Sequence, residues 1–357
     1  MRATATRRGV VVLGAALFAA FPRKARNGES SPLRRLIGAE EWEDFKQLYV
    51  TAEGRIVDTG NQNCSHSEGQ GWGLLLAEAF GDETCFNRIL AWTRNELRRP
   101  YDSLHCWTWR PDRPNPIEDH NNATDGDIFI AWALSRAARR WARPELLEVS
   151  TAIIRDLHEA CVREVGGSHV LLPAAFGFEH PGYVVLNPSY YVFPALPELA
   201  ALMPQGNWGK VRQDGLALLR QARFGRWGLP ADWVELSRDA GTLLQPATGW
   251  APRFSYDAVR VPLYMAWAGL DDEPAIQAAS RFWSQNQPHP PPAWTELTSD
   301  QPAPYEAGSG IRSIVRLVQD KDAQPGSLPR VREAPYYYGA ALTLLARLAA
   351  FERAAPA

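Results

Sequence analysis

Seven consecutive apolar residues, Ile128 to Leu134, constrain the fold more than any other stretch of this chain. An amphipathic surface helix keeps a polar face, so a helix that is apolar all round must be buried on every side. Thr124 precedes this run and Asp127 follows Thr124 by three residues, a spacing that predicts a helix start closed by a capping box. The chain is therefore expected to wrap other elements around this helix.

Two carboxylates, Asp125 and Asp127, stand at the start of the predicted buried helix. The N-terminal end of a helix dipole favours negative charge, and capping alone accounts for Asp127. Capping leaves Asp125 unexplained. A buried helix that begins among charged groups predicts the floor of a polar cleft, and Asp125 is its first candidate site residue.

Two further carboxylates, Glu68 and Asp257, lie at predicted helix starts. Glu68 is followed by three glycines in five residues, which allow close approach of a backbone or a substrate. Asp257 precedes Arg260 by three residues, so the two share a helical face, and apolar neighbours predict a desolvated carboxylate whose pKa can be tuned. The alternatives are a Glu that only favours the helix dipole and a weak surface ion pair.

Helical periodicity recurs along the chain, whereas Val170–Leu172 and Val184–Leu186 have the pattern of strands. Helix pairs without strand alternation argue against a βαβ fold. The pattern predicts one all-α domain over 33–354, a closed ring of helix hairpins with a few short strands in its loops. The further predicted helices are Gly38–Tyr49, Ser67–Phe80, Thr84–Leu97, Pro144–Arg163, Pro188–Met203, Trp208–Arg223, Ser255–Gly269, Pro274–Gln285, Tyr305–Val318 and Ala334–Arg353.

Residues 1–25 have the pattern of a targeting segment. Arg2, Arg7 and Arg8 precede the apolar run Gly9–Phe21, which has 13 residues and is too short for the roughly 20 that a spanning helix needs. The segment predicts export to the periplasm or the medium. An uncleaved membrane anchor is the alternative, because no small residue stands where the cleavage motif requires one.

Charge and cysteine content narrow the classes of partner. A formal net charge of −2 and a pI near 6.4 give no electrostatic reason to expect nucleic acid. The four cysteines show no C-x-x-C spacing, so no zinc site is expected; after export they form disulfides or remain buried thiols. Fourteen Trp exceed the needs of a core and offer flat faces for partly apolar ligands.

In a helical ring, the starts of the three helices that carry Glu68, Asp125 and Asp257 can converge at one mouth. Two carboxylates in different environments, one protonated and one ionised, are the equipment for hydrolysis of a glycosidic bond. The protonated group supplies a proton to the leaving oxygen, and the ionised group draws a proton from water or attacks directly. The sequence thus favours a sugar hydrolase.

Four motifs in order resemble glycoside hydrolase family 8, the cellulase D family, and in particular its exported endoglucanase branch found beside bacterial cellulose synthases. Their spacing agrees from about Trp42 to the C-terminal Tyr336–Leu342, which is most of the chain after the leader. The motifs are His66–Gln70, Asn122–Asp127, Leu186–Tyr190 and Ser255–Arg260.

The resemblance implies an (α/α)6 barrel that cuts β-1,4-glucan internally with inversion at the anomeric carbon. It makes Glu68 the general acid and Asp257 the general base. Asp125 would bind hydroxyls of the central sugar, while Tyr190 and Arg260 would help to place the water and the base. No cofactor or metal is implied; the expected partners are the glucan and cellulose synthase machinery, and the expected state is a monomer.

The same resemblance assigns aromatic residues to substrate binding. Trp107 and Trp109 correspond to a platform on which a sugar stacks, without indicating which indole does so. Tyr256, next to the base, is also assigned to the substrate. Trp72 stands where many relatives have Tyr, a departure that affects no catalytic position.

Three other functions compete with an endoglucanase. An exported glycan-binding subunit would keep the tryptophans and lose the acids, so the presence of Glu68 and Asp257 counts against it. A sugar-nucleotide transferase would use Asp125 and Asp127 as a metal-binding D-x-D, but the chain lacks a nucleotide-binding βαβ pattern. Related hydrolases that cut chitosan, xylan or mixed-linkage glucan share the chemistry.

Overall fold

The computed structural model describes residues 38–239, 244–285 and 289–354. The predicted leader, 1–25, lies outside the described residues. Eleven α-helices occur in the described ranges: α1 Ala39–Tyr49, α2 Ser67–Phe80, α3 Glu83–Glu96, α4 Thr124–Arg140, α5 Pro144–Cys161, α6 Leu196–Leu202, α7 Trp208–Gln221, α8 Arg260–Trp267, α9 Pro274–Ser284, α10 Ser309–Gln319 and α11 Tyr337–Ala354.

The strands are short and antiparallel, and all lie in the connections between helices. They pair as β1 with β2, β3 with β4, β5 with β6 and then β7, and β8 with β9. Their bounds are β1 Ser65–His66, β2 Thr108–Trp109, β3 Val162–Val165, β4 Ser168–Leu171, β5 Tyr183–Leu186, β6 Val234–Ser237, β7 Leu244–Pro246, β8 Arg253–Phe254 and β9 Thr295–Glu296.

Two kinds of helix build the ring. Helices α2, α4, α8 and α11 bury nearly all of their residues, whereas α1, α3, α5 and α9 bury one stripe and expose the other. The run from Ile128 to Leu134 is buried throughout, as the apolar pattern predicts. Fully buried helices form the inside of the (α/α)6 barrel, and the amphipathic helices surround them.

The C-terminal helix closes the ring. Helix α11 packs against α10 and also contacts α1, α2 and α8, which come from both ends and the middle of the chain. Consecutive helices α2 with α3 and α4 with α5 pack as hairpins, as the pattern predicts. In the ranges that the structure describes, no helix is both long and apolar enough to cross a membrane.

Several predicted boundaries are wrong. The predicted helix Pro188–Met203 is a short 3-10 turn, Pro188–Tyr190, followed by α6, because Asn187 caps the turn and the chain then leaves helical geometry. The predicted helix Ser255–Gly269 begins only at Arg260. The predicted strand segments overlap β4 and β5. The other strands were not predicted, although Val234–Ser237 in β6 alternates apolar and polar residues.

Candidate active site

Arg260, at the start of α8, lies at the centre of the candidate active site. Its guanidinium is almost completely buried, yet it contacts carboxylates from three elements. One terminal nitrogen, Nη2, donates to the Asp257 Oδ1 at 2.6 Å. The other, Nη1, contacts Glu68 and lies 3.5 Å from Asp125 Oδ2. The structure therefore brings together the three carboxylates that the sequence places far apart.

Glu68 is positioned by the cap of α2. The His66 ring accepts a hydrogen bond from the Gly69 amide at 2.9 Å, which caps the helix, and places Glu68 in the first turn. The Glu68 side chain keeps 15% exposure. Solvent and substrate can therefore reach a carboxylate that is rigidly held.

The glycines near Glu68 serve the packing of α2 against α4. A Cβ atom on Gly71 would lie 2.7 Å from the Phe129 Cβ, and one on Gly126 would lie 2.3 Å from the Ser67 Oγ. Only residues without a Cβ allow the two helices to approach this closely. This close contact places the helix starts of Glu68 and Asp125 side by side.

The two carboxylates of α4 face different surroundings, and the predicted capping box is wrong. Thr124 does not cap, because its hydroxyl donates to the Leu172 carbonyl at 2.7 Å. Asp127 accepts hydrogen bonds from the His105 amide and ring and from Asn122, at 2.9–3.1 Å. Asp125 is left for Arg260. Residues of the loop before the helix therefore bind Asp127, which the local pattern had paired with Thr124.

The D-x-D interpretation gains no support from this geometry, because Asp125 lies beside Arg260 whereas Asp127 accepts from His105 and Asn122. Among the described residues, no group of three or more His, Cys, Asp or Glu side chains is arranged to hold a metal ion. Cys64, Cys85, Cys106 and Cys161 are all buried and free, which agrees with the buried-thiol alternative.

Asp257 lies in a turn that precedes α8 rather than on the helix itself. The spacing to Arg260 still brings the two side chains together, as predicted, and the Arg260 amide donates to the Asp257 carbonyl at 3.0 Å. Arg260 Nη2 also donates to Ser189 Oγ at 3.0 Å. The Leu186–Tyr190 motif thus contributes Ser189, a contact that sequence reasoning did not assign.

Burial dominates the electrostatics of the cluster. It raises the pKa of Asp125, partly offset by the hydrogen bond from the Gly126 amide. It also raises the pKa of Asp257, and the negative charges of Asp232 and Asp125 act in the same direction. The Asp257 side chain keeps 31% exposure and pairs with Arg260, so solvent and the guanidinium relieve part of the effect. Both carboxylates remain better proton acceptors than an ordinary aspartate.

Of the two tryptophans in the predicted platform, Trp107 presents an open face. It is 39% exposed, and its indole nitrogen donates to Asp119 at 2.9 Å, which fixes the ring orientation. Trp109 instead packs edge-on against Trp92 and lies beneath the Arg55 guanidinium. Trp107 is therefore the indole that can stack on a sugar ring.

The two tyrosines that the sequence assigns to the site, Tyr190 and Tyr256, lie beside the carboxylate cluster. The Arg260 guanidinium lies 5.9 Å from the Tyr190 ring centroid. Tyr256 is 46% exposed, and its hydroxyl lies 3.1 Å from that of Tyr305. Both are placed to contact a ligand of Glu68 and Asp257.

Sequence reasoning missed Asp232 and the aromatic stack beside it. Trp233 is stacked between Phe178 and Trp250, with ring centroids 5.6 Å and 5.2 Å away. Asp232 accepts hydrogen bonds from the turn that carries Asp257. The high Trp content was the only signal for the stack, and no local pattern distinguishes Asp232.

Comparisons with known proteins place this geometry in a family. The family model described as "Glycosyl hydrolases family 8" matches residues 17–352. A Novacetimonas hansenii protein named "Probable endoglucanase" is 41% identical over 314 residues, which cover 88% of this chain and 91% of that protein. An endoglucanase of Cellulomonas uda is 39% identical over 76% of this chain and 75% of its own length.

Solved structures agree with the sequence relatives. The endo-β-1,4-glucanase CMCax from Acetobacter xylinum superposes with a TM-score of 0.83 at 40% identity, covering 88% of this chain and 98% of that one. A reducing-end-xylose releasing exo-oligoxylanase superposes with a TM-score of 0.69 at 16% identity, a likeness of fold alone.

Proposed function

The chain belongs to family 8 of the glycosyl hydrolases, and we propose from this premise that it is an inverting endo-β-1,4-glucanase acting on cellulose-type glucan. The observation that carries the proposal is the pairing of Glu68 and Asp257 with the two terminal nitrogens of one buried guanidinium. Both carboxylates are partly exposed, Glu68 by 15% and Asp257 by 31%. The endoglucanases named above support the choice of substrate.

In the proposed reaction, Glu68 is the general acid and Asp257 the general base. Glu68 gives its proton to the glycosidic oxygen as the bond from the anomeric carbon to that oxygen breaks. Asp257 takes a proton from a water molecule whose oxygen attacks the anomeric carbon from the opposite face, so the product has inverted configuration. The raised pKa of Asp257 suits this role, because proton transfer from water improves with the basicity of the acceptor.

Asp125 and Arg260 are the buried neighbours of Glu68 and Asp257. At 2% and 4% side-chain exposure they form the floor between Glu68 and Asp257. We assign Asp125 to hydroxyls of the sugar at the cleavage point. Arg260 holds Asp257 and helps to order the attacking water, with Tyr190 beside it. Trp107 supplies a stacking face for a neighbouring sugar, and Tyr256 borders the groove on the side of the base.

The anomeric form of the first product tests the proposal. Purified protein is incubated with soluble β-1,4-glucan, mixed-linkage glucan, xylan and chitosan, and the products are followed by NMR. We expect carboxymethylcellulose to be cut internally, with an α-anomer at early times. An early β-anomer would contradict inversion, and faster cleavage of xylan or chitosan would reassign the substrate. Binding of glucan without release of reducing ends would instead favour a glycan-binding subunit.

The cellular setting forms a second part of the proposal. Arg2, Arg7, Arg8 and the run Gly9–Phe21 support export to the periplasm or the medium. We further propose that the protein acts as a monomer alongside cellulose synthesis. N-terminal sequencing of the protein from a periplasmic fraction tests export: a new N-terminus near residue 25 is expected, whereas an intact Met1 in the membrane fraction would establish the anchor.

A further inference from the structure

The turn that carries Asp257 is held by a side chain from another part of the chain. Asp232 Oδ1 accepts hydrogen bonds from the Ser255 amide at 2.9 Å and from the Ala258 amide at 2.7 Å. The Asp232 amide in turn donates to the Arg253 carbonyl at 2.8 Å. These bonds bracket Asp257 on both sides, so the position of its backbone depends on a residue 25 positions earlier.

Asp232 is itself held firmly. The neighbouring Trp233 is stacked between Phe178 and Trp250 and meets Tyr190 edge-on. Immediately after it, β6 pairs with β5 and β7. The backbone around Asp232 is therefore fixed on one side by the aromatic stack and by the three-stranded sheet.

An uncharged residue would satisfy the same two amides, since an asparagine side chain also has an accepting oxygen. The presence of a carboxylate therefore calls for a second reason. Asp232 adds negative charge beside Asp257, and this raises the Asp257 pKa together with burial and with Asp125. The effect is one that Asn cannot supply.

Other charged and titratable groups also face the two carboxylates. Arg260 pairs with Asp257 and links it to Glu68, while Arg253 acts on Asp232. The hydroxyls that interact electrostatically with Asp257 belong to Tyr190 and Tyr338. Among these groups, Asp232 is the carboxylate bonded directly to the amides of the turn.

We propose that Asp232 is a positioning residue for the general base: it fixes the turn that carries Asp257 and places a second carboxylate beside it. The inference rests on the proposed function, because it assumes that Asp257 activates water. It goes beyond that function by assigning a role to a carboxylate outside the acid pair.

Asp232→Asn removes the charge and keeps an oxygen that accepts from the Ser255 and Ala258 amides. Of the interactions with the turn, it weakens only that of the Asp257 amide with the carboxylate. We expect the acid limb of kcat/KM to move to lower pH by roughly one unit, since removal of a nearby negative charge lowers the Asp257 pKa. KM should change less than twofold. Asp232→Glu keeps the charge and displaces the oxygens, so its acid limb should stay in place while kcat falls about 10-fold to 100-fold.

Asp214→Asn is the matched control. Asp214 also accepts a backbone amide from a distant segment, that of His169 at 2.7 Å, but it lies away from the acid cluster on α7. This variant should lose thermal stability and keep the wild-type pH profile. If the acid limb of kcat/KM shifts equally in Asp214→Asn and Asp232→Asn, the role of Asp232 is structural only.

An unmoved acid limb in Asp232→Asn, or a move to higher pH, would overturn the inference. If Asp232→Asn does not fold, Asp232→Glu decides: an acid limb displaced from that of the wild type would overturn it. Wild-type protein is measured alongside. An inactive wild type overturns the proposed function and this inference with it, whereas an active wild type with an unshifted variant overturns only the role of Asp232.

Discussion

Two buried ion clusters in this molecule have opposite balances of charge. Around Arg260, three carboxylates share one guanidinium, and two of them, Glu68 and Asp257, keep part of their surface exposed. Around Glu41, on α1, one carboxylate faces two guanidinium groups. Its oxygens accept from Arg330 Nε at 2.9 Å, and Arg347 lies 3.9 Å away.

The Glu41 cluster has a structural task. Glu41 also accepts from the Val331 amide at 2.8 Å, and Arg347 donates to the carbonyls of Leu328 and Pro329. These bonds tie the first described helix to the segment before the last one, where the ring closes. Glu41 and Arg347 are buried there, whereas Arg330 is more than half exposed.

The difference teaches how to tell a functional cluster from a structural one. In the Glu41 cluster each buried charge has an opposite partner, and removal of one partner destabilises the fold because it leaves an uncompensated buried charge. A cluster with excess carboxylates holds negative charge in a site where it is disfavoured, and such sites carry perturbed pKa values. In the Arg260 cluster two of the three carboxylates, Glu68 and Asp257, are also partly exposed to solvent.

Of the substitutions considered, Glu68→Gln in the Arg260 cluster should have the largest effect, a loss of activity. Loss of a positioned general acid lowers turnover of carboxymethylcellulose by about 10²-fold to 10⁴-fold, while binding of soluble glucan persists. Reducing-sugar release and an affinity gel measure the two properties. Reducing-sugar release at the wild-type rate would remove Glu68 from its role.

Glu41→Gln, in the Glu41 cluster, should lower stability and leave activity almost unchanged. Without the carboxylate charge, Arg347 remains buried and unmatched, so we expect a loss of roughly 2–4 kcal/mol in the free energy of unfolding. The kcat of the folded protein should stay within twofold of wild type. Urea denaturation followed by tryptophan fluorescence measures the loss. A fall in kcat without a fall in stability would contradict a structural role for the Glu41 cluster.

The pH profile of the wild type sharpens the comparison. The pKa of Asp257 is raised above the ordinary 3.8, so the base becomes protonated, and inactive, at a higher pH than an exposed aspartate. The acid limb of kcat/KM should therefore lie clearly above that value. Activity that persists unchanged down to pH 4 would contradict a desolvated base.

Asp125→Asn and Asp127→Asn compare two carboxylates of the same helix, with the smallest expected effect. Because the folded pKa of Asp125 is raised, its ionised form destabilises the fold above that pKa, and the penalty vanishes once pH falls below the unfolded value. Asp125→Asn should thus gain about 1 kcal/mol in stability near pH 7 and nothing near pH 3, while it loses activity.

Asp127→Asn should instead lose about 1 kcal/mol, because the carboxylate holds His105 and Asn122. Thermal unfolding of both variants at the two pH values checks the pair. A loss of stability in Asp125→Asn at neutral pH would show that its pairing with Arg260 outweighs desolvation.

The sequence by itself determined which segments are helical and which of them are buried. The apolar run Ile128–Leu134 predicted the inner helix α4, and alternating stripes predicted the amphipathic outer helices. The motifs around Glu68, Asp125 and Asp257 also predicted the candidate carboxylates. These properties depend on residues within one or two helical turns of each other, so a local pattern contains them.

Only the tertiary structure decided which partner each of these groups has. Asp127 bonds to His105 instead of forming a capping box with Thr124. Arg260 contacts carboxylates from three elements, and Asp232 accepts hydrogen bonds from the turn that carries Asp257, 25 residues away. The glycines after Glu68 proved to serve helix packing. Such pairings arise when the ring closes and distant loops compete for the same polar atoms, and no periodicity along the chain records the outcome of that competition.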